Sequence, residues 1–386
     1  MDLVGFGIVL PVLPLYAKRY HASAFTAGAL VAAFSLAQLV ASPFWGRISD
    51  RAGRKPVLLV SLAGTAIGSL LTGLAGGLAL LFVGRLVDGA SGASVSVAQA
   101  AAADLADPDQ RARLFGLLGA AFGIGFVLGP AIGGALAPID PRLPFFAAAV
   151  VAGVNAIVAT RRLPETKPPG DRRPAVARQR ASAWRMPGVR NMLTVSFLSL
   201  VAFSAFEGTF ALFGQRRLGF GESSTYLVFL VIGVLIALVE VGLVHPVVAR
   251  LGERGALQVG LVLNAAGLAI LPAVHNRWWL APPIVLLTAG QGLITPTLSS
   301  TVAGQVEHRR RGEILGVQQS VGGLARVIGP AAGGFVFGHL GTGLPYAGGA
   351  VLVAVAAAAL AASPAPVAVP GDPSPHGDAL PERPIA

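Results

Sequence analysis

Eleven stretches of this chain are long, apolar and nearly free of charge, and polar breaks separate them. They lie at 26–45, 56–75, 78–103, 113–136, 143–162, 190–214, 224–247, 256–274, 279–302, 313–338 and 342–362. A helix rising 1.5 Å per residue needs about 20 mostly apolar residues to cross a hydrocarbon core of about 30 Å, and each stretch meets that need. A further run, residues 2–17 (DLVGFGIVLPVLPLYA), is apolar but shorter. It has no basic segment before it, so it reads as a span rather than a cleaved leader. Its length, about 24 Å as a helix, leaves two readings. Either it is tucked among other helices or the true start lies upstream, and the second is preferred. The chain is 54% hydrophobic and 12% charged, about half the charge a soluble domain carries. A polytopic membrane protein with twelve spans follows.

Twelve spans put both ends on one side, and the cations say which. The loop 161–190 alone holds nine Lys and Arg, and Arg47, Arg51, Arg54 and Lys55 fill the loop after the second span. The opposite loops hold only Lys18, Arg19, Arg142, Arg216, Arg217 and Arg277. The positive-inside rule then places both termini in the cytoplasm. The net charge of +11 is topology, and it needs no nucleic acid to explain it. Cysteine is absent, which excludes disulfides and thiolate metal sites. The histidines have no metal-ligand spacing, and there is no nucleophile elbow, phosphate loop or ATP motif. Nothing supports an enzyme, a cofactor or a metal centre.

The polar stretch 161–190 divides the helices six and six, and the halves repeat at an offset of 200. Gly116, Gly123, Gly129, Pro130, Gly133 and Gly134 match Gly316, Gly323, Gly329, Pro330, Gly333 and Gly334. Repeated halves around a central site are how many secondary transporters alternate access. The expected organisation is a six-helix bundle over 1–163, a basic cytoplasmic linker over 164–189, a second bundle over 190–362 and a disordered Pro-rich tail over 363–386.

Three motifs carry a family resemblance. GRISDRAGRKP, between the second and third spans, resembles the signature loop of the major facilitator superfamily, with Gly46, Asp50, Arg51, Gly53, Arg54 and Lys55 in place. LLFVGRLVDGASGAS resembles that family's fourth-helix motif with Arg85 as its arginine, and GIGFVLGPAIGG its antiporter motif. The first half is similar to the tetracycline-efflux branch of the drug:proton antiporters. The resemblance implies an all-α fold of two pseudo-symmetric six-helix bundles and proton-coupled export. The sequence departs from that branch where its exporters carry membrane acids: Gly68 and Asn264 stand in the third and ninth helices, and Ile236 replaces a histidine of the eighth. The first-helix acid is retained as Asp2. These departures weaken the case for tetracycline itself and leave the antiporter class standing.

Ionisable groups at membrane depth are costly and mark function by default. Arg85, Asp88, Gly92 and Gln99 fall at helical steps on one face. They read as a proton-responsive pair beside a cavity, or as a neutralised pair that only locks helices. Asp2, Glu207, Glu240 and Arg326 complete the proton-coupling candidates. Phe34, Gln38, Gln99, Phe203, Phe206, Asn264, Gln291 and Gln319 are candidate substrate contacts, with interhelical bonding as the alternative. Gly125, Gly129, Pro130, Gly133 and Gly134 are candidates for a hinge or sealing interface. The signature loop is expected to latch the cytoplasmic side. The functional expectation is a bacterial inner-membrane exporter, monomeric, with a small lipophilic molecule, protons and the bilayer as its partners. A symporter or facilitator for a metabolite, and a non-transporting sensor or scaffold, are the rivals.

Overall fold

A segment inside lipid has no water to bond its backbone, so an apolar run must coil into a helix that satisfies its own N–H and C=O groups. A computed structural model of the chain shows this outcome. The structure describes residues 2–92, 97, 98, 101, 124, 125, 127–166, 187–306 and 311–363, and no strand occurs among them. The first half holds α1 (Asp2–Val9), α2 (Leu13–Lys18), α3 (Ala24–Ala52), α4 (Arg54–Gly73), α5 (Leu78–Ser91), α6 (Val127–Leu136) and α7 (Leu143–Arg162). The second holds α8 (Pro187–Leu218), α9 (Glu222–Gly242), α10 (Val244–Ile270), α11 (Ala281–Gly304), α12 (Arg311–His339) and α13 (Leu344–Ala362).

Local chemistry sets several boundaries. The first span breaks into α1 and α2 around Pro11, which has no N–H to give a helix. Ser23 caps α3, its hydroxyl accepting from the Thr26 amide at 3.0 Å. α10 is not one rod. Gly252 sits at φ 70°, ψ 169°, so residues 244–251 prolong the eighth span and 253–270 form the ninth. Each of the twelve expected spans is therefore represented by at least one described helix. The short first span is tucked inside the fold: Ile8 through Ala17, apart from its prolines, is buried apolar side chain.

Within the first half α4 packs on α5 and α7, and within the second α10 packs on α11 and α8 on α12 and α13. One extensive contact crosses between the halves, α3 against α12. Its closest point lies where α3 begins and α12 ends. A Cβ on Gly28 would fall on the Pro330 carbonyl, and one on Gly334 would lie 2.5 Å from the Ala24 carbonyl oxygen. Phe25 meets Phe335 edge-on at 6.2 Å.

Polar contacts extend this seam along the end that the positive-inside rule assigns to the outside. Lys18 Nζ donates to Gln215 Oε1 at 2.8 Å, and Arg19 pairs with Glu222 at 2.9 Å. The Tyr226 hydroxyl donates to the Ile8 carbonyl at 3.0 Å. Partial burial, and then the facing Arg216, hold Lys18 below the usual lysine range. The seam thus contains a repulsive pair beside its attractive ones.

Because the halves meet here through bare backbone, Gly28→Val is expected to keep this end of the seam from closing. A cysteine placed by Ala22→Cys, in a chain with no cysteine of its own, should then react severalfold faster with a membrane-impermeant maleimide. Unchanged labelling would show that the seam tolerates the side chain.

Candidate functional site

In the first bundle the site is built on α5. Arg85 and Asp88 are one turn apart on one face, both buried, and Arg85 Nη1 donates to Asp88 Oδ2 at 2.8 Å. The guanidinium lies 4.4 Å from the centre of the Phe34 ring on α3, an arrangement worth about 2 kcal/mol when desolvated. Arg85 Nε is buried with no hydrogen-bond partner among the described residues. Gly68 of α4 presses on the pair's carboxylate residue, where a Cβ would lie 2.6 Å from the Asp88 Cβ. Gly68 thereby lets α4 approach the backbone of Asp88. Phe34 also meets Phe6 of α1 at 5.9 Å.

The C-terminal carbonyls of α5, which have no partner within the helix, are taken up by its neighbours. Gln38 Nε2 donates to Gly92 O at 2.8 Å, Trp45 Nε1 to Ala90 O at 2.6 Å, and the Ser61 hydroxyl to Ser91 O. Gln38, a candidate substrate contact, is thus spent on holding α3 to the end of α5. Gln99 lies outside the described residues. So does the side chain of Asp2.

In the second bundle Glu207 of α8 and Arg326 of α12 lie close enough for their charges to act on each other, without closing to a direct ion pair. Neither is fully buried. Glu240 is half-buried near the end of α9, with no ion-pair partner among the described residues. Asn264 and Gln291 are buried together between α10 and α11, Asn264 Nδ2 donating to Gln291 Oε1 at 3.4 Å and Gln291 Nε2 to Thr295 at 3.2 Å. Phe203 and Phe206 are buried, 6.0 Å apart, and Phe206 continues into a stack with Phe210 and Tyr346 inside the bundle. Gln319 is exposed on α12.

The glycines of the fifth span act as seats for other helices. A Cβ on Gly129 would lie 2.6 Å from the Gly7 Cα of α1, and one on Gly133 would run into the Tyr226 ring of α9. Gly134 lies under the same tyrosine, and Gly125 offers its carbonyl to Gly7. Pro130 packs its Cδ toward Gly7. Tyr226 of α9 is thus seated on two glycines of this motif, a contact the sequence did not single out. Its signal was faint, one of four tyrosines at the outer start of a span.

The signature loop is a tight turn between α3 and α4. Gly53 holds φ 99°, a conformation that disfavours any side chain. Asp50 pairs with Arg54 at 3.0 Å across the turn, and Arg54 Nη1 also donates to the Ser49 hydroxyl at 3.0 Å. Gly46 has open space around its Cα, Arg51 is exposed, and Lys55 is half-buried. The carboxylate on the N-terminus of α4 is Glu165, just past α7: its oxygens accept from the Arg54 and Lys55 amides at 2.8 and 3.1 Å. Glu165 was not among the residues singled out from the sequence. The missed signal was a lone acid in LPET, at the head of a strongly basic linker.

Two bundles joined at one end, charges paired inside the membrane and a signature turn on the opposite side describe one architecture. The profile of the Major Facilitator Superfamily matches residues 1–257 and 242–385. The chain belongs to that superfamily. It is 35% identical over 339 residues to the class C tetracycline resistance protein of Escherichia coli, covering 86% of this chain and 85% of that one. It is 28% identical over 346 residues to multidrug resistance protein 2 of Bacillus subtilis, at 86% and 85% coverage. Its fold is similar to that of the human organic anion transporter TETRAN, with TM-score 0.73 and 24% identity over 93% of this chain and 96% of that one. It also matches the nucleoside transporter NupG, with TM-score 0.75 and 12% identity over 94% and 97%. As a member of this superfamily it is a multi-pass membrane protein of the transporter class.

If Tyr226 plugs the outer seam, Tyr226→Ala should raise passive proton leak in proteoliposomes several-fold. Tyr226→Phe, which keeps the ring and loses one hydrogen bond of about 1 kcal/mol, should leak little. Equal tightness in both would remove the plug.

Proposed function

We propose that the chain is a proton-coupled exporter of small lipophilic molecules, working by alternating access in a bacterial inner membrane with both termini in the cytoplasm. The observation that carries the coupling is the buried Arg85–Asp88 pair under Phe34. A buried ion pair is costly to desolvate and poorly justified by stability alone, whereas a carboxylate that trades its arginine for a proton is what an antiporter requires. Glu207, facing Arg326 in the other bundle, is the second coupling group, and Asp2 and Glu240 are reserve candidates. Arg85 and Arg326 are the counter-charges these carboxylates would exchange for a proton.

The relatives support export: one is a tetracycline resistance protein, another a multidrug resistance protein. Gly68 and Asn264, where the tetracycline branch carries acids, favour a different lipophilic substrate. Phe34 and Phe6 supply apolar contact near Arg85, and few polar anchors suit such a molecule better than a sugar. The protein functions as a monomer, with no reaction chemistry of its own. The signature turn, with Gly46, Asp50, Arg51, Gly53, Arg54 and Lys55, is the cytoplasmic gate.

Inverted vesicles energised with a proton gradient test this. Lipophilic dyes or drugs should dissipate the gradient and accumulate. Glu207→Gln should cut that exchange at least tenfold while leaving the amount of inserted protein unchanged. Asp88→Asn should do the same, with some loss of stability because Arg85 is left buried without its partner. Gradients indifferent to every compound tried would refute coupling, and uptake of a metabolite with protons would favour the symporter.

A further inference from the structure

α7 ends at Arg162, and three residues later the chain folds back over the start of α4. A helix leaves its first amides without partners, and Gly53, at the cap position, has no side chain to offer them. Glu165 supplies the cap from another span. Its Oε1 accepts from the Arg54 amide at 2.8 Å and from the Thr166 amide at 3.0 Å, and its Oε2 from the Lys55 amide at 3.1 Å. A Cβ on residue 53 would lie 2.5–3.1 Å from this carboxylate. Glycine there serves the turn and the clamp together.

The second bundle builds the same tie with opposite charge. Gly252, the counterpart of Gly53, also has positive φ. Just after it, Arg254 Nη2 donates to the Leu360 carbonyl at 2.5 Å and to the Ser363 carbonyl, at the end of α13. In each bundle the turn between its second and third spans is fastened to the exit of its last span. One fastening is a carboxylate on helix-start amides, the other a guanidinium on helix-end carbonyls.

We propose that Glu165 is a positioning residue of the transport cycle. It fixes the signature turn to the sixth span, so that the turn and the head of the linker rock with the first bundle as one body. It acts through the turn and touches neither substrate nor the proton-carrying groups. The proposal rests on the transporter reading above, and its test has one arm that does not.

Amide hydrogen exchange on the full-length protein in lipid nanodiscs provides that arm. Glu165→Ala should raise exchange at Arg54 and Lys55 about tenfold and leave the other spans unchanged. Glu165→Gln, whose amide oxygen can still accept one bond, should fall between. In inverted vesicles the maximal transport rate should drop at least fivefold in Glu165→Ala, with the substrate KM and the pH profile unmoved. Unchanged exchange at those two amides overturns the proposal whether or not the wild type transports anything. So does a wild-type rate, a shifted KM or pH profile, or faster exchange throughout the bundle, the mark of a merely structural loss. A wild type that moves no compound refutes the transporter reading alone.

Discussion

In a bilayer, lipid is as apolar as leucine, so burying side chains does little to hold one helix against another. Association has to come from close packing and from bonds between helices. The rest of this structure depends on that constraint. Gly28 brings α3 onto the Pro330 backbone, Gly129 brings the fifth span onto Gly7, and Gly68 brings α4 onto Asp88. In each place the helix approaches so closely that a methyl group would collide. The abundance of glycine in this chain (50 residues) is therefore a packing device, and its cost in helix propensity is met by lipid leaving the helix no alternative state.

The fold was legible because it is written in long periods. Span length and the repeat at offset 200 are each spread over tens of residues, and local irregularity such as Pro11 or Gly252 does not erase them. The Arg85–Asp88 pair was legible as well, since a three-residue step on a helix fixes the geometry. Contacts between distant segments were not. Gln38 looked like a cavity residue and proved to bond the end of α5. Asn264 and Gln291 proved to bond each other. Spacing states which face a side chain occupies, but which neighbouring helix comes to that face is a tertiary fact. Glu165 shows the same limit from the other side. Its role depends on a fold-back of the chain after α7 that leaves no periodic trace.

The charge groups also differ in placement from those of the resembling branch. The acid that the resembling branch places on the third helix is absent, and Asp88 of the fourth helix occupies the adjoining space against Gly68. A proton-binding site is defined by a position in space and by a nearby counter-charge, not by which helix donates the carboxylate. The two turns between second and third spans make a parallel case. Each is anchored by an ionic group at a helix end, and helix ends offer partial positive charge at one terminus and partial negative at the other. Either sign of side chain can therefore make the tie, provided it meets the matching end.

Alternating access requires that neither state be strongly preferred, and the outer seam meets that requirement in its composition. Arg19 is about half exposed in its pair with Glu222, its side chain retaining 51% of its accessibility, and such a pair contributes about 0.2–1 kcal/mol. The Tyr226 bond adds about 1 kcal/mol, and Lys18 facing Arg216 takes some of this back. A gap of a few kcal/mol between two states leaves the minor one populated at roughly 0.1–10%. A ligand can shift such an equilibrium only by its difference in affinity for the two states, and a gap this small is within the reach of one proton or one small molecule. Replacing these weak polar contacts with a continuous interlock of large side chains would close the outer end more firmly. It would also place the second state beyond what those ligands could supply.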